Sequence, residues 1–195
     1  MYRSVYNHRL NVVCNWLLNR SIAVARQLGP QRVWADAVMQ RWLWHSDALS
    51  LDDFLGNDDH RTGYHLQRWR EEGPAALQEL CGRLLDRRLL KASDVSQLKQ
   101  EQRLELLALA QRLSEQAGLQ ADLCCGLQSQ QNRGYHPYRG GLRLWDGRHL
   151  TALEQRSPLV QSLSEARESA WLIHPPEITG PLRTQLALEA GDGAA

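Results

Sequence analysis

Met1-Tyr-Arg-Ser-Val-Tyr-Asn-His-Arg9 runs without a break into Leu10-Asn-Val-Val-Cys-Asn-Trp-Leu-Leu18. Val5, Val12, Val13, Trp16, Leu17, Val24 and Leu28 fall mainly on one helical stripe. One long helix is expected, stopped by Gly29-Pro30. The first nine residues read as the interior of such a helix, with no leader, no cap and no polar run-in, so the chain reads as the middle of a larger protein.

Working outward, residues 31–45 are expected to form a second helix with Pro30 suited to its first turn. Val33, Trp34, Val38, Trp42 and Leu43 give it a broad apolar face. Ser50-Leu-Asp-Asp53 has the form of a helix cap with an acid three residues on, and Asn57 offers a cap to a helix carrying Tyr64, Leu66 and Trp69. Gly73-Pro74 opens a helix with Leu77, Leu80, Leu84 and Leu85, and residues 95–117 read as one long helix ending at Gly118.

Beyond that point the pattern changes. Residues 122–128 read as a strand, and a polar, glycine-rich stretch follows to Gly141. Leu142-Arg-Leu-Trp145 alternates as a strand does, with Asp146-Gly147 a turn signal after it. Ser157-Pro158 starts a short helix to about residue 166, and Ala170-Trp-Leu-Ile173 is a further strand. The expected fold is mostly α: a helical part over 1–100, a small α+β module over 101–180, and a tail over 181–195 whose last five residues are disordered.

Composition sets the class. A chain of 195 residues with 43% hydrophobic and 23% charged residues is ordinary for a globular protein. No apolar run approaches the ~18 residues of a membrane span, so a cytoplasmic location is the expectation. The net charge of +1 gives no global pull towards nucleic acid or an anionic membrane. Cys14, Cys81, Cys124 and Cys125 lack C-x-x-C spacing and read as reduced thiols, the last two on opposite faces of a strand. Lys91 and Lys99 are the only lysines, an arginine bias read here as compositional rather than as phosphate recognition.

Several blocks, in order, resemble the HD-family phosphohydrolases of the deoxynucleoside triphosphate triphosphohydrolase-like branch. The opening nine residues are the most specific. Arg83-Leu-Leu-Asp-Arg-Arg-Leu-Leu-Lys91 is similar to a family block of the form R-x-L-x-x-R-x-L-[FL]-K. His136-Pro-Tyr138, Leu153-Glu-Gln-Arg-Ser-Pro-Leu159 and Pro175-Pro-Glu-Ile178 look like the C-terminal module of bacterial members. The family holds a divalent metal, Mn²⁺ or Mg²⁺ among others, with a separated His, a His-Asp dipeptide and a later Asp. This sequence contains no His-Asp dipeptide, so the resemblance implies the C-terminal portion of such an enzyme, binding no cofactor itself and inactive alone.

At single positions the resemblance implies that Tyr6 packs against a deoxyribose and Asn7 contacts sugar or base. His8 and Arg9 match positions that face an allosteric nucleotide in regulated members, where the second is usually lysine. Arg87 and Lys91 match a second effector contact; at i and i+4 of a helix they share a face and together suit a triphosphate. The implied partners are a deoxynucleotide, when the metal-bearing half is present, and further copies of the chain; neither membrane nor nucleic acid is expected.

Three other readings compete. Asp52, Asp53, Asp58, Asp59, His60 and His65 suggest a metal site, but capped helix starts account for them better. Arg133, Tyr135, His136, Tyr138, Arg139 and Arg143 suggest a single-stranded RNA loop, which the neutral charge disfavours. The tryptophans at apolar helical positions suit a core or subunit interface, and with them a non-catalytic interaction protein derived from the same family.

Overall fold

The computed structural model describes residues 8–132, 141–164 and 167–192. Helix α1 (Arg9–Leu28) buries Val12, Val13, Trp16, Leu17 and Val24, the expected stripe. Gly29 closes it at φ +80°, a conformation that costs a residue with a side chain more than it costs glycine. Val5, counted in that stripe, lies outside the described residues.

Helix α2 (Ala37–Trp44) begins six residues later than the apolar pattern predicts. The Arg32 and Val33 amides both donate to Gly29 O at 3.1 Å, so Pro30 belongs to a turn rather than to the helix. Asp36 then supplies the start, its Oδ1 accepting from the Met39 amide at 2.8 Å. Helix α3 (Leu51–Gly56) carries the capping box foreseen at Ser50 and Asp53. For α4 (Asp59–Glu72) the cap is Asp58, not Asn57, which instead closes α3. A carboxylate caps and also favours the positive helix end, an advantage the amide lacks. Helix α5 (Ala75–Leu85) follows Gly73-Pro74 as expected.

The chain next forms β1 (Lys91–Asp94), a strand that the leucine-rich pattern conceals, so the long helix expected from Val95 is shorter. Helix α6 (Gln100–Gln116) starts only after the Val95 amide has donated to Ala170 O at 2.9 Å. It ends at Gly118, φ +75°, where the Leu119 amide donates to Ser114 O and the Gly118 amide to Glu115 O, both at 2.9 Å. Those two bonds are the Schellman closure of a helix.

Residues 121–124 form a single turn, α7 (Ala121–Cys124), where a strand was expected, and β2 (Gly126–Asn132) begins after it. The Cys125 amide donates to Ala121 O at 2.8 Å and Cys124 Sγ to Gln120 O at 3.2 Å, so local bonds take this stretch out of the sheet. A hairpin of β3 (Arg143–Trp145) and β4 (Leu150–Ala152) turns at Asp146-Gly147 as foreseen. Asp146 Oδ1 accepts from the Arg148 and His149 amides, and Gly147 sits at φ +96°. After α8 (Leu153–Arg156) and α9 (Pro158–Ser164) comes β5 (Arg167–His174). The segment read as a tail is helix α10 (Thr179–Asp192), anchored by fully buried Leu182; residues 193–195 lie outside the described set.

The fold is mostly α, with a three-stranded antiparallel sheet in the order β1-β5-β2. Ala92 pairs with Ile173 and Leu127 with Leu172. A single core runs from Val12 to Leu182, joining α1, α5, the sheet and α6 across the boundary expected near residue 100. Arg103, almost buried, ties the sheet to α6. Its Nε donates to Val95 O at 3.1 Å, Nη2 to Ser96 O at 2.9 Å and Nη1 to Glu168 Oε1 at 2.7 Å. No helix among the described residues is long and apolar enough to cross a membrane.

Candidate functional site

Of the residues singled out from the sequence, His8 and Arg9 lie at the start of α1, Arg87 follows α5, and Lys91 opens β1. Tyr6 and Asn7 lie outside the described residues. His8 caps α1, its exposed Nδ1 accepting from the Leu10 amide at 3.3 Å, and Arg9 opens the helix, also exposed. With its ring at the helix start, His8 is held by local structure, while the Arg9 guanidinium side faces solvent.

Arg87 and Lys91 are not one helical face. Helix α5 stops at Leu85, and Arg87 takes φ +57°, its amide donating to Leu84 O at 3.4 Å. Arginine thus fills the left-handed position that glycine usually takes after a helix. Lys91 opens β1, paired with His174. What the fold does bring together is Arg87 and α1. Burial pushes the Cys14 thiol up, and the nearby Arg87 charge pulls it part of the way back. Arg87 and Lys91 are both exposed, as a contact to a charged ligand requires.

A second arrangement went unread in the sequence. A cleft of about 290 Å³ between α5 and the α6–α7 connection is lined by Glu79, Arg83, Leu119, Leu123 and Cys124. Arg83 is largely buried there and donates through Nε to Glu79 Oε1 at 2.7 Å. The neighbouring Cys125 meets Ser114 Oγ at 3.2 Å, and the adjacent Cys124 and Cys125 thiols are coupled, which with burial pushes Cys124 up. The i, i+4 spacing of Glu79 and Arg83 was the only sign of this pair in the sequence.

The acid and histidine cluster at 52–65 is taken up by helix starts and packing. Arg41 and Ser50 bond the Asp53 carboxylate and hold it down to about 2. His65 is fully buried, with Nε2 accepting from the Asp36 amide at 3.0 Å and Nδ1 against Arg61 O at 2.8 Å. Both ring nitrogens are thereby committed to backbone groups. His60 is almost entirely exposed. Among the described residues no group of three or more His, Cys, Asp or Glu side chains is placed to hold a metal ion, so they do not fit the divalent metal that the resemblance implies. The loop proposed for RNA falls largely on residues 133–140, outside the described set.

No family model matches the chain. It is 24% identical over 186 residues to the uncharacterized Bacillus subtilis protein YwfO, covering 91% of this chain and 42% of that protein. Its fold matches the crystal structure of a phosphohydrolase from Bacteroides thetaiotaomicron with a TM-score of 0.67 at 18% identity, over 89% of this chain and 47% of that one. The chain therefore shares the fold of that protein, and it spans less than half the length of each of these two proteins.

Proposed function

We propose that these residues form the part of an HD-family metal-dependent phosphohydrolase that lies downstream of its metal site. The substrate on this reading is a deoxynucleoside triphosphate, split into deoxynucleoside and triphosphate. Tyr6 and Asn7 supply sugar and base contacts, a phenol offering a flat apolar face and one hydrogen-bonding group. His8, Arg9, Arg87 and Lys91 supply effector contacts. The observation that carries the reading is the shared fold with a phosphohydrolase over 89% of this chain and 47% of that one. The ordered sequence blocks add the substrate class, and no metal-dependent step is assigned to the residues described. Arg87 and Lys91 contribute on this view from a turn and a strand edge, gripping an anion from two elements rather than one.

Two measurements test it. The pure 195-residue protein, incubated with each deoxynucleoside triphosphate and Mn²⁺, is expected to release no triphosphate; release abolished by Tyr6→Ala would overturn the claim that it is inactive alone. Sequencing the DNA in frame upstream of the Met1 codon is expected to show an open frame encoding His, His-Asp and Asp with an arginine just before Met1. A nearby stop codon would instead favour the second reading, a non-catalytic interaction protein.

A further inference from the structure

Two surfaces of this chain expose apolar side chains that the fold leaves uncovered, and their charged rims are of opposite sign. The first is α3, where Leu51, Phe54 and Leu55 project at i, i+3 and i+4 and are 71%, 59% and 67% exposed. Phe54 stacks on Trp42 with ring centroids 5.6 Å apart, and Trp42 Nε1 donates to Asp53 O at 2.9 Å, so the helix is held firmly with this face outward. Asp47, Asp52, Asp58 and Asp59 are exposed around it. Residues 46–60 contain five aspartates and neither lysine nor arginine.

The second surface is the β3–β4 hairpin. Trp145 and Leu150 are directly opposite in register and therefore share a face, 63% and 60% exposed. Arg143 lies two residues from Trp145 on that same face, and Arg148 is exposed in the turn. Among the described residues no ion pair engages either arginine. The hairpin's acids are less available: Asp146 bonds the turn amides and pairs with Arg156 at 3.2 Å, and Glu154 is half-buried. No described residue between 128 and 169 belongs to the hydrophobic core, and a two-stranded hairpin is marginal alone.

We infer that the acidic apolar face of α3 docks on the arginine-bearing face of the β3–β4 hairpin of a second copy of this chain. Two α3 faces meeting each other would set aspartates against aspartates, a juxtaposition that like-charge repulsion penalises. Opposite rims around two apolar centres favour the heterologous pairing instead. Such a contact is head-to-tail, so it propagates into a closed ring or an open chain rather than stopping at a two-fold dimer. This inference rests on the two surfaces alone and stands or falls independently of the nucleotide reading.

Charge exchange tests it. Sedimentation velocity of the full 195-residue protein over a concentration series should show self-association that weakens as salt is raised. Asp47→Arg, Asp52→Arg and Asp59→Arg together, which leave Asp58 to cap α4, give a variant with two basic faces, and Arg143→Glu with Arg148→Glu one with two acidic faces. Each alone should associate at least about tenfold more weakly, and an equimolar mixture should recover association, because each face then meets its opposite. Phe54→Ser and Trp145→Ser should each weaken it without altering charge, and melting curves check that every variant folds. A wild-type protein that stays monomeric throughout overturns the inference. So does association that ignores both charge variants, or a mixture that fails to recover it.

Discussion

At the scale of single residues, three positions are set by what surrounds them rather than by their own chemistry. A Cβ built on Gly126 would come within 2.7 Å of Trp16 Nε1, so β2 enters the sheet against the indole of α1 only because this residue has no side chain. Gly126→Ala is expected to cost about 1–3 kcal/mol, lowering the melting midpoint by roughly 2–12 °C. Arg87 is the opposite case, a side chain in the left-handed region. Relief of about 1–2 kcal/mol of backbone strain is partly offset by glycine's unfolded-state entropy, so Arg87→Gly should hold or slightly raise the midpoint in a thermal melt. His174 is buried, and burial depresses its imidazole below the ordinary value of 6.5, while the Pro175 carbonyl pulls the other way. An unfolded chain takes up that proton near the ordinary value and the folded one does not, so stability is full above it and declines as pH falls below it. The stability of wild type relative to His174→Gln should therefore fall through that acid window, read as the gap between their melting midpoints; a gap constant with pH would mean the ring does not titrate this way.

At the scale of elements, the Arg103 clamp joins α6 to the end of β1 and to β5. Arg103→Ala removes a donor from the buried Val95 carbonyl, which keeps the Leu98 amide, and from the half-buried Ser96 carbonyl, and is expected to cost about 1–3 kcal/mol in urea denaturation. Glu168→Gln should cost less than about 1 kcal/mol, because Glu168 is half exposed and its partner keeps both carbonyls. The elements legible in the sequence were those with local signals: the α1 stripe, the Ser50–Asp53 capping box, Gly118 and Asp146-Gly147. Those missed depended on distant partners. Lys91-Ala-Ser-Asp94 has no strand pattern, and only pairing with β5, eighty residues on, makes it one. The α10 segment read as a tail because one of the elements it packs on, α6, lies more than sixty residues earlier in the chain. For the candidate site the spacing of Arg87 and Lys91 suggested one helical face, and a left-handed residue between helix and strand separated them.

At the scale of the whole molecule, the core is shared by the helical part and the sheet, whereas the hairpin and α8–α9 contribute none of its described residues. Denaturation followed by tryptophan fluorescence and by far-ultraviolet dichroism should therefore give one coincident transition. Native-state hydrogen exchange should show amides of residues 143–164 opening well before those of β5 and α1. Two separated global transitions would mean the parts fold independently. The strand order carries a further consequence, for biosynthesis. The central strand is the last of the three to be made, so β1 and β2 leave the ribosome with their pairing edges vacant. At about 5–20 residues per second, β1 waits roughly 4–16 s before residue 174 is polymerised. During that interval Leu89, Leu90 and the exposed edge of β1 are open to any strand or chaperone that reaches them first, so a pause within this window should increase aggregation of the nascent chain, and a circularly permuted gene in which β5 is made early should reduce it.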